Sequence, residues 1–291
     1  MSNYFPTFKR LMKKRLFRKL SWIKIGIIII LIASLITIKD EIEYIFGIGY
    51  YSDDGDYSID SDIFYEECSV QGLMLRGDLV TFASETPEYL ETASEDIVYS
   101  IQMAEEDPSI RAIILEVDSY GGYPVADEEI ADALERATKP TIALVRGAAA
   151  SAAYYAATGA DIIFASQDSE IGSIGTTLSY LDYSQKNKIE GATFNELSTG
   201  KFKDMLNEDK VLTWEEKQLI MRDLNIMNDN FIEAVAENRE MSTEDVRKLA
   251  DGSTMLGKMA LEEGLIDRIG GEYEVKEYLR EMIGEEIEIC W

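Results

Sequence analysis

One serine stands inside a stretch of very small residues, Gly147-Ala148-Ala149-Ala150-Ser151-Ala152-Ala153, followed by Tyr154-Tyr155. Small side chains let a second backbone, or a bound chain, come close. A serine so placed is either a helix cap or a nucleophile. A nucleophile needs a base, and the chain has no histidine. That removes the Ser-His-Asp triad, the Cys-His pair, His-ligated zinc and any histidine general base. A lysine can replace them if its amine is neutral near pH 7, which requires apolar burial away from carboxylates. The segment 197–205 (LSTGKFKDM) offers Lys201 and Lys203, and composition does not choose between them. Gly121-Gly122 ends an apolar run; it reads either as a plain turn or as backbone amides beside a site.

Strands and helices must alternate to hold these groups. The run IRAIILEVD (110–118) predicts a strand ending at Gly121-Gly122. Residues 125–137 predict an amphipathic helix, with Val125, Ile130, Ala133, Leu134 and Ala137 toward one face. Further strands are expected at 140–145 and 161–165, with a small-residue helix at 151–158 between them. This β-α-β-α-β order implies an α/β fold, a mostly parallel sheet flanked by helices. Sites in such sheets form beyond the carboxyl ends of strands, which is where both Gly121-Gly122 and Ser151 fall. A long helix is expected over 213–239, a shorter one from the N-cap candidate Ser242, another over 272–283, and a last strand over 286–290.

The charge pattern is uneven. The chain of 291 residues carries 28 Lys+Arg against 55 Asp+Glu, a net charge of -27, so a nucleic-acid reader is not expected. Residues 1–24 nevertheless hold eight basic residues and no acid. A run spanning 22–38, interrupted only by Lys24, just reaches the length of a short membrane span. The basic flank would keep the N-terminus in the cytoplasm and place the rest outside, in a single pass. A cleaved signal peptide is the competing reading, though no convincing cleavage site follows. The expected organisation is a basic cytoplasmic segment (1–21), a transmembrane anchor (22–38), an acidic juxtamembrane linker (39–68), a catalytic domain (69–271) and a C-terminal helix and strand (272–291). Residues 40–67 hold ten acids and no base, which reads as a solvated linker. Cys68 and Cys290, the two cysteines, flank the folded region and could tie its ends together outside the membrane.

Four blocks, in order, give the chain a family resemblance. EVDSYGG resembles a strand-end N-S-P-G-G motif; RGAAASAAYYAATGAD resembles a nucleophile box; EIGSIGT resembles a G-S-I-G-V block; and STGKFKD resembles a lysine block in which Lys follows Gly by three positions. Together they resemble the signal peptide peptidase A (SppA) family of Ser-Lys serine proteases, in a short form with one such box, over about residues 69–270. The resemblance implies a ClpP/crotonase-like fold and no metal or other cofactor. It implies Ser151 as nucleophile, Lys203 as base, Ser173 as the group that orients the lysine, and an oxyanion hole of backbone N–H groups from Gly121 or Gly122 and from Ala152. It also implies a homo-oligomeric ring, with serine and lysine supplied by one protomer or by two neighbours. The implied substrates are signal-peptide remnants or other short hydrophobic peptides at the extracytoplasmic face of the membrane.

The chain departs from the family pattern at three places. Tyr120 replaces a proline, Ala152-Ala153 replace two glycines, and Asp118 replaces an asparagine. A carboxylate near Lys203 would favour its charged form. These changes keep open an inactive, scaffold-like relative that binds membrane proteins. A crotonase-type acyl-CoA enzyme is the third reading, but it leaves the lysine block unexplained.

Overall fold

In a computed structural model of the chain, residues 68–84 and 89–291 are described. The expected anchor at 22–38 and the acidic run at 40–67 lie outside them. Among the described residues no helix is long and apolar enough to cross a membrane.

The sheet is built on β1 (Val70–Val80), β3 (Ala112–Gly122) and β4 (Thr141–Ala150), paired in parallel. β2 (Glu91–Ala93) lies on the outer side of β1, and β5 (Ile162–Ala165) and then β8 (Arg268–Ile269) continue beyond β4, giving the order β2-β1-β3-β4-β5-β8. The apolar run in β3 is continuous because both faces are covered. Ile113, Leu115 and Val117 join the core under α1 (Ser94–Glu106), α2 (Pro124–Glu135) and α3 (Ala152–Thr158). Ala112 and Ile114 point the other way, toward Val275 and Leu279 of α8 (Glu272–Ile283). Successive side chains of a strand alternate between faces, so one strand feeds two cores.

Glu116 is the acid in this run and is 3% exposed. It bridges Arg76 of β1 at 2.5 Å and Arg146 of β4 at 2.8 Å, which ties three adjacent strands. Burial alone would raise its pKa, but the two guanidinium groups hold it below the usual glutamate range.

β4 forks the sheet. Its first half pairs with β5 through Ile142–Val145, and its last residues, 148–150, pair with β6 (Glu170–Gly172). The fork coincides with a register shift against β3, where Val117 faces Val145 but Ser119 faces Ala149. Asp118 spans the irregularity by accepting the Ala148 N–H at 3.2 Å. β6 in turn pairs antiparallel with β7 (Thr254–Leu256), an arrangement the residue pattern did not predict.

Three other helices lie among the described residues: α4 (Ser184–Glu190), α6 (Thr243–Leu249) and α7 (Gly257–Glu262). The long helix expected at 213–239 is α5 (Trp214–Asn238); Thr213 caps it, with Glu216 closing a capping box. The last strand is shorter than expected: β9 is Ile289–Cys290, parallel to the start of β1. A disulfide joins Cys68 to Cys290 across a Cα–Cα distance of 5.8 Å. The Trp291 ring lies against Gly72.

Candidate active site

Ser151 occupies the one-residue turn between β4 and α3, with φ 54° and ψ -130°. A non-glycine residue at positive φ is strained and must be held from outside. Its N–H donates to the Gly172 carbonyl at 2.7 Å, and its carbonyl accepts from the N–H groups of Tyr154 and Tyr155 at 2.9 and 3.1 Å. Ser151 sits at the N-cap position, yet its side chain makes no capping hydrogen bond. The hydroxyl is therefore not consumed by capping, and it stands at the N-terminal, positive end of the short helix α3.

The close packing around Ser151 accounts for the small residues. Gly121 has φ +115°, and a Cβ built there would stand 2.9 Å from the Ser151 Cβ and 3.1 Å from the Ala152 nitrogen. Gly122 is equally constrained, because a Cβ would fall 2.0 Å from the Leu79 carbonyl oxygen. The two glycines differ in one respect. The Gly121 N–H donates to the Ser119 hydroxyl at 3.1 Å, and that hydroxyl donates to the Gly77 carbonyl. Gly122, not Gly121, lines the cavity next to Ser151 and Ala152.

That cavity measures about 480 Å³. Its walls are mainly apolar, with Tyr155 of α3, Leu178, Leu206, and Leu224, Met227 and Phe231 of α5. Tyr155 stacks on Phe231 at 5.3 Å between centroids. Burial, helped by nearby Glu128 and Asp127, pushes the Tyr155 hydroxyl up to about 12. Asp127 also lines the cavity, 3% exposed, and its Oδ1 has no hydrogen-bond partner. The sequence held a signal for it. Asp127 lies three and seven positions before Ile130 and Leu134, on the inward face of α2.

Ser173 follows β6 and has φ 52°. Its N–H donates to the Ser253 carbonyl at 2.9 Å and its hydroxyl to the Gly252 carbonyl at 3.0 Å. It lies next to Gly172, the residue whose carbonyl holds Ser151, but it does not line the cavity.

Lys203 stands apart. It is exposed and lines a separate depression of about 520 Å³ with Phe194, Leu197, Ser198 and Asp204. No ion pair involving Lys203 occurs among the described residues. Lys201, the other lysine of the segment, pairs with Glu215 at 2.7 Å and lies over the Phe202 ring. Asp118, whose charge could oppose a base, is engaged with the Ala148 N–H and does not line the Ser151 cavity. Within one chain the fold thus gathers Ser151, Gly121, Gly122 and Ala152, sets Ser173 next to Gly172, whose carbonyl holds Ser151, and leaves Lys203 in a different depression.

A mostly parallel α/β sheet thus carries a strained serine at a strand-to-helix turn. The chain belongs to peptidase family S49, which it matches over residues 133–285. It is 34% identical over 179 residues to a protein of Enterococcus faecium described as "Putative signal peptide peptidase SppA", covering 60% of this chain and 52% of that one. It is 29% identical over 199 residues to Protease 4 of Haemophilus influenzae, covering 67% and 32%. It is 31% identical over 183 residues to the chloroplastic serine protease SPPA of Arabidopsis thaliana, covering 61% and 27%. The chain thus spans about half the length of the first of these relatives and a smaller share of the other two. A solved ClpP1 point mutant from Listeria monocytogenes superposes with a TM-score of 0.46 and 15% identity, covering 70% of this chain and 92% of that one.

Proposed function

We propose that the chain is a serine endopeptidase in which Ser151 is acylated by peptide substrates and Lys203 serves as the base. The observation that carries this reading is the strained Ser151, its hydroxyl spared from capping, beside an apolar cavity. The Ser151 Oγ attacks the scissile carbonyl and its proton passes to the lysine amine. The oxyanion is held by the N–H groups of Gly122 and Ala152. Gly122 is preferred to Gly121 because the Gly121 N–H is already bonded to Ser119. The protonated lysine then gives its proton to the leaving amine, and water repeats the sequence to release the acyl group.

Because Lys203 lines a different depression from Ser151, the reading includes assembly. In a ring, Lys203 of one protomer would meet Ser151 of the next, and Ser173 would orient its amine. The surface around Lys203 supports this. Leu197, which lines the same depression, is 99% exposed, an apolar group left for a partner to cover. A lysine buried by that contact would lose the hydration that keeps it charged. The mainly apolar walls beside Ser151 suit peptides that are hydrophobic over most of their length, such as signal-peptide remnants. The basic segment and apolar run of residues 1–38 suit a single-pass anchor holding the domain outside the membrane.

The test is acylation of the full chain in detergent by a serine-reactive fluorophosphonate, read by intact mass. One adduct on Ser151 is expected, absent from Ser151→Ala and absent from Lys203→Ala. A folded oligomer that takes up no label would favour the second reading, a non-catalytic scaffold. Its motivation is the exposed Lys203 and the altered residues Tyr120, Ala152 and Ala153.

A further inference from the structure

We infer that Asp127 makes the Ser151 cavity a specificity pocket for a basic side chain, lysine or arginine, on the residue whose carbonyl is attacked. This deepens the peptidase reading and rests on it. Three observations converge. First, the cavity is lined by Ser151, Ala152 and Gly122, so the side chain of a residue attacked at Ser151 has this cavity within reach. Second, the walls supply what a long aliphatic stem needs: Tyr155 and Phe231 stacked on one side, with Ile220, Leu224 and Met227 beyond. Third, the charged groups on these walls, Asp127, Glu128 and Asp223, are all acids.

Acids in a surface cleft are ordinarily solvated, and Glu128 is exposed in this way. Asp127 is not. Its carboxyl is buried in the wall with Oδ1 unpartnered, an arrangement that costs stability unless something pairs with it. An ammonium or guanidinium at the end of an apolar stem would supply the missing donors and the opposite charge together. Leucine or phenylalanine would fill the volume and leave Oδ1 unsatisfied.

Among the described residues no cation lines the cavity with Asp127. Glu128 neighbours it on α2, Tyr155 faces it from α3, and Asp223 lies on α5 across the cavity. On α1, Ser94 donates to Glu129 and not to Asp127. β1 meets the start of α2 through the Leu79 carbonyl, which accepts the Tyr123 N–H. Burial pushes the Asp127 carboxyl up to about 8, opposed by a hydrogen bond from the Glu128 N–H. A bound cation needs the ionised form, so preference for it should strengthen as pH rises through that range.

The test compares two fluorogenic peptides identical except for lysine or leucine at the cleaved residue, with fluorophosphonate labelling of Ser151 run in parallel. In the wild type kcat/KM for lysine should exceed that for leucine by at least about tenfold. The ratio should rise several-fold between pH 6.5 and 9. Asp127→Asn should bring the ratio near one and flatten its pH dependence, with Ser151 labelling retained. Asp127→Leu should invert the preference toward leucine. Equal ratios in the wild type and both variants, with Ser151 still labelled, would overturn this inference alone. Loss of labelling in the folded wild type would overturn the peptidase reading and this inference with it.

Discussion

The segments that carry Ser151 and Lys203 are opposites. From Ala148 to Thr158 every residue is buried except Ser151 and Tyr155, which are half-buried. From Ser184 to Val211 not one residue is buried. The first segment is fixed by β3, β6 and α2, so the strain at Ser151 is supported by the fold of a single chain. The second is held by local turns and ion pairs, such as Lys201 with Glu215 and Lys210 with Glu216. If the proposed roles hold, the contrast teaches that Ser151 is organised by folding, whereas Lys203 must be organised by whatever covers the exposed segment.

The largest effect that would break this contrast is complementation. Ser151→Ala and Lys203→Ala should each be inactive alone. Mixed and reassembled, they should recover about a quarter of wild-type hydrolysis, the share of junctions combining two intact halves in a random ring. No recovery in verified mixed oligomers would place both groups in one chain.

A smaller but still large effect is expected at Gly121. Gly121→Ala forces a Cβ toward Ser151 at a positive φ. It should lower stability by roughly 1–3 kcal/mol and slow hydrolysis at least tenfold, read by denaturant melts and peptide assays. Stability lost with hydrolysis unchanged would show that Ser151 tolerates movement.

Glu116 sharpens the comparison through pH. Its folded pKa is depressed by Arg76 and Arg146, so the stability it contributes is present above its unfolded value, near 4.3, and is lost as pH falls through the lower folded value. The melting temperature should therefore drop on acidification below about pH 4.5. Glu116→Gln should be less stable at pH 7 and show a shallower drop. Identical acid profiles would assign the loss to other carboxylates.

The smallest effect belongs to the exposed segment. Lys201→Ala removes a solvated ion pair with Glu215 and should change stability by less than about 0.5 kcal/mol. It should leave Ser151 labelling intact. Loss of labelling would make Lys201 the base.

The parallel sheet was legible in the sequence because β3 and β4 are buried on both faces and must be continuous apolar runs. The capped ends of α5 and α6 were legible because Thr213 and Ser242 are side-chain caps with acids in the first turn. The β6–β7 pairing was hidden because three-residue strands from distant parts of the chain leave no periodicity. Ser151 stood out through the small residues that its close packing demands. Asp127 was passed over because an acid within a helix normally marks the wet face. The position of Lys203 relative to Ser151 was not legible, since spacing along a chain is silent about which depression each side chain lines.

The disulfide has a mechanical consequence. Cys68 precedes the first residue of β1 and Cys290 closes β9 beside it, so the bridge makes the two ends of the described fold a single load point. A pull on the chain upstream of residue 68 is shared at once between β1, inside the sheet, and the C-terminal strand. That load point lies at the starts of the strands, and Ser151 stands at their opposite ends.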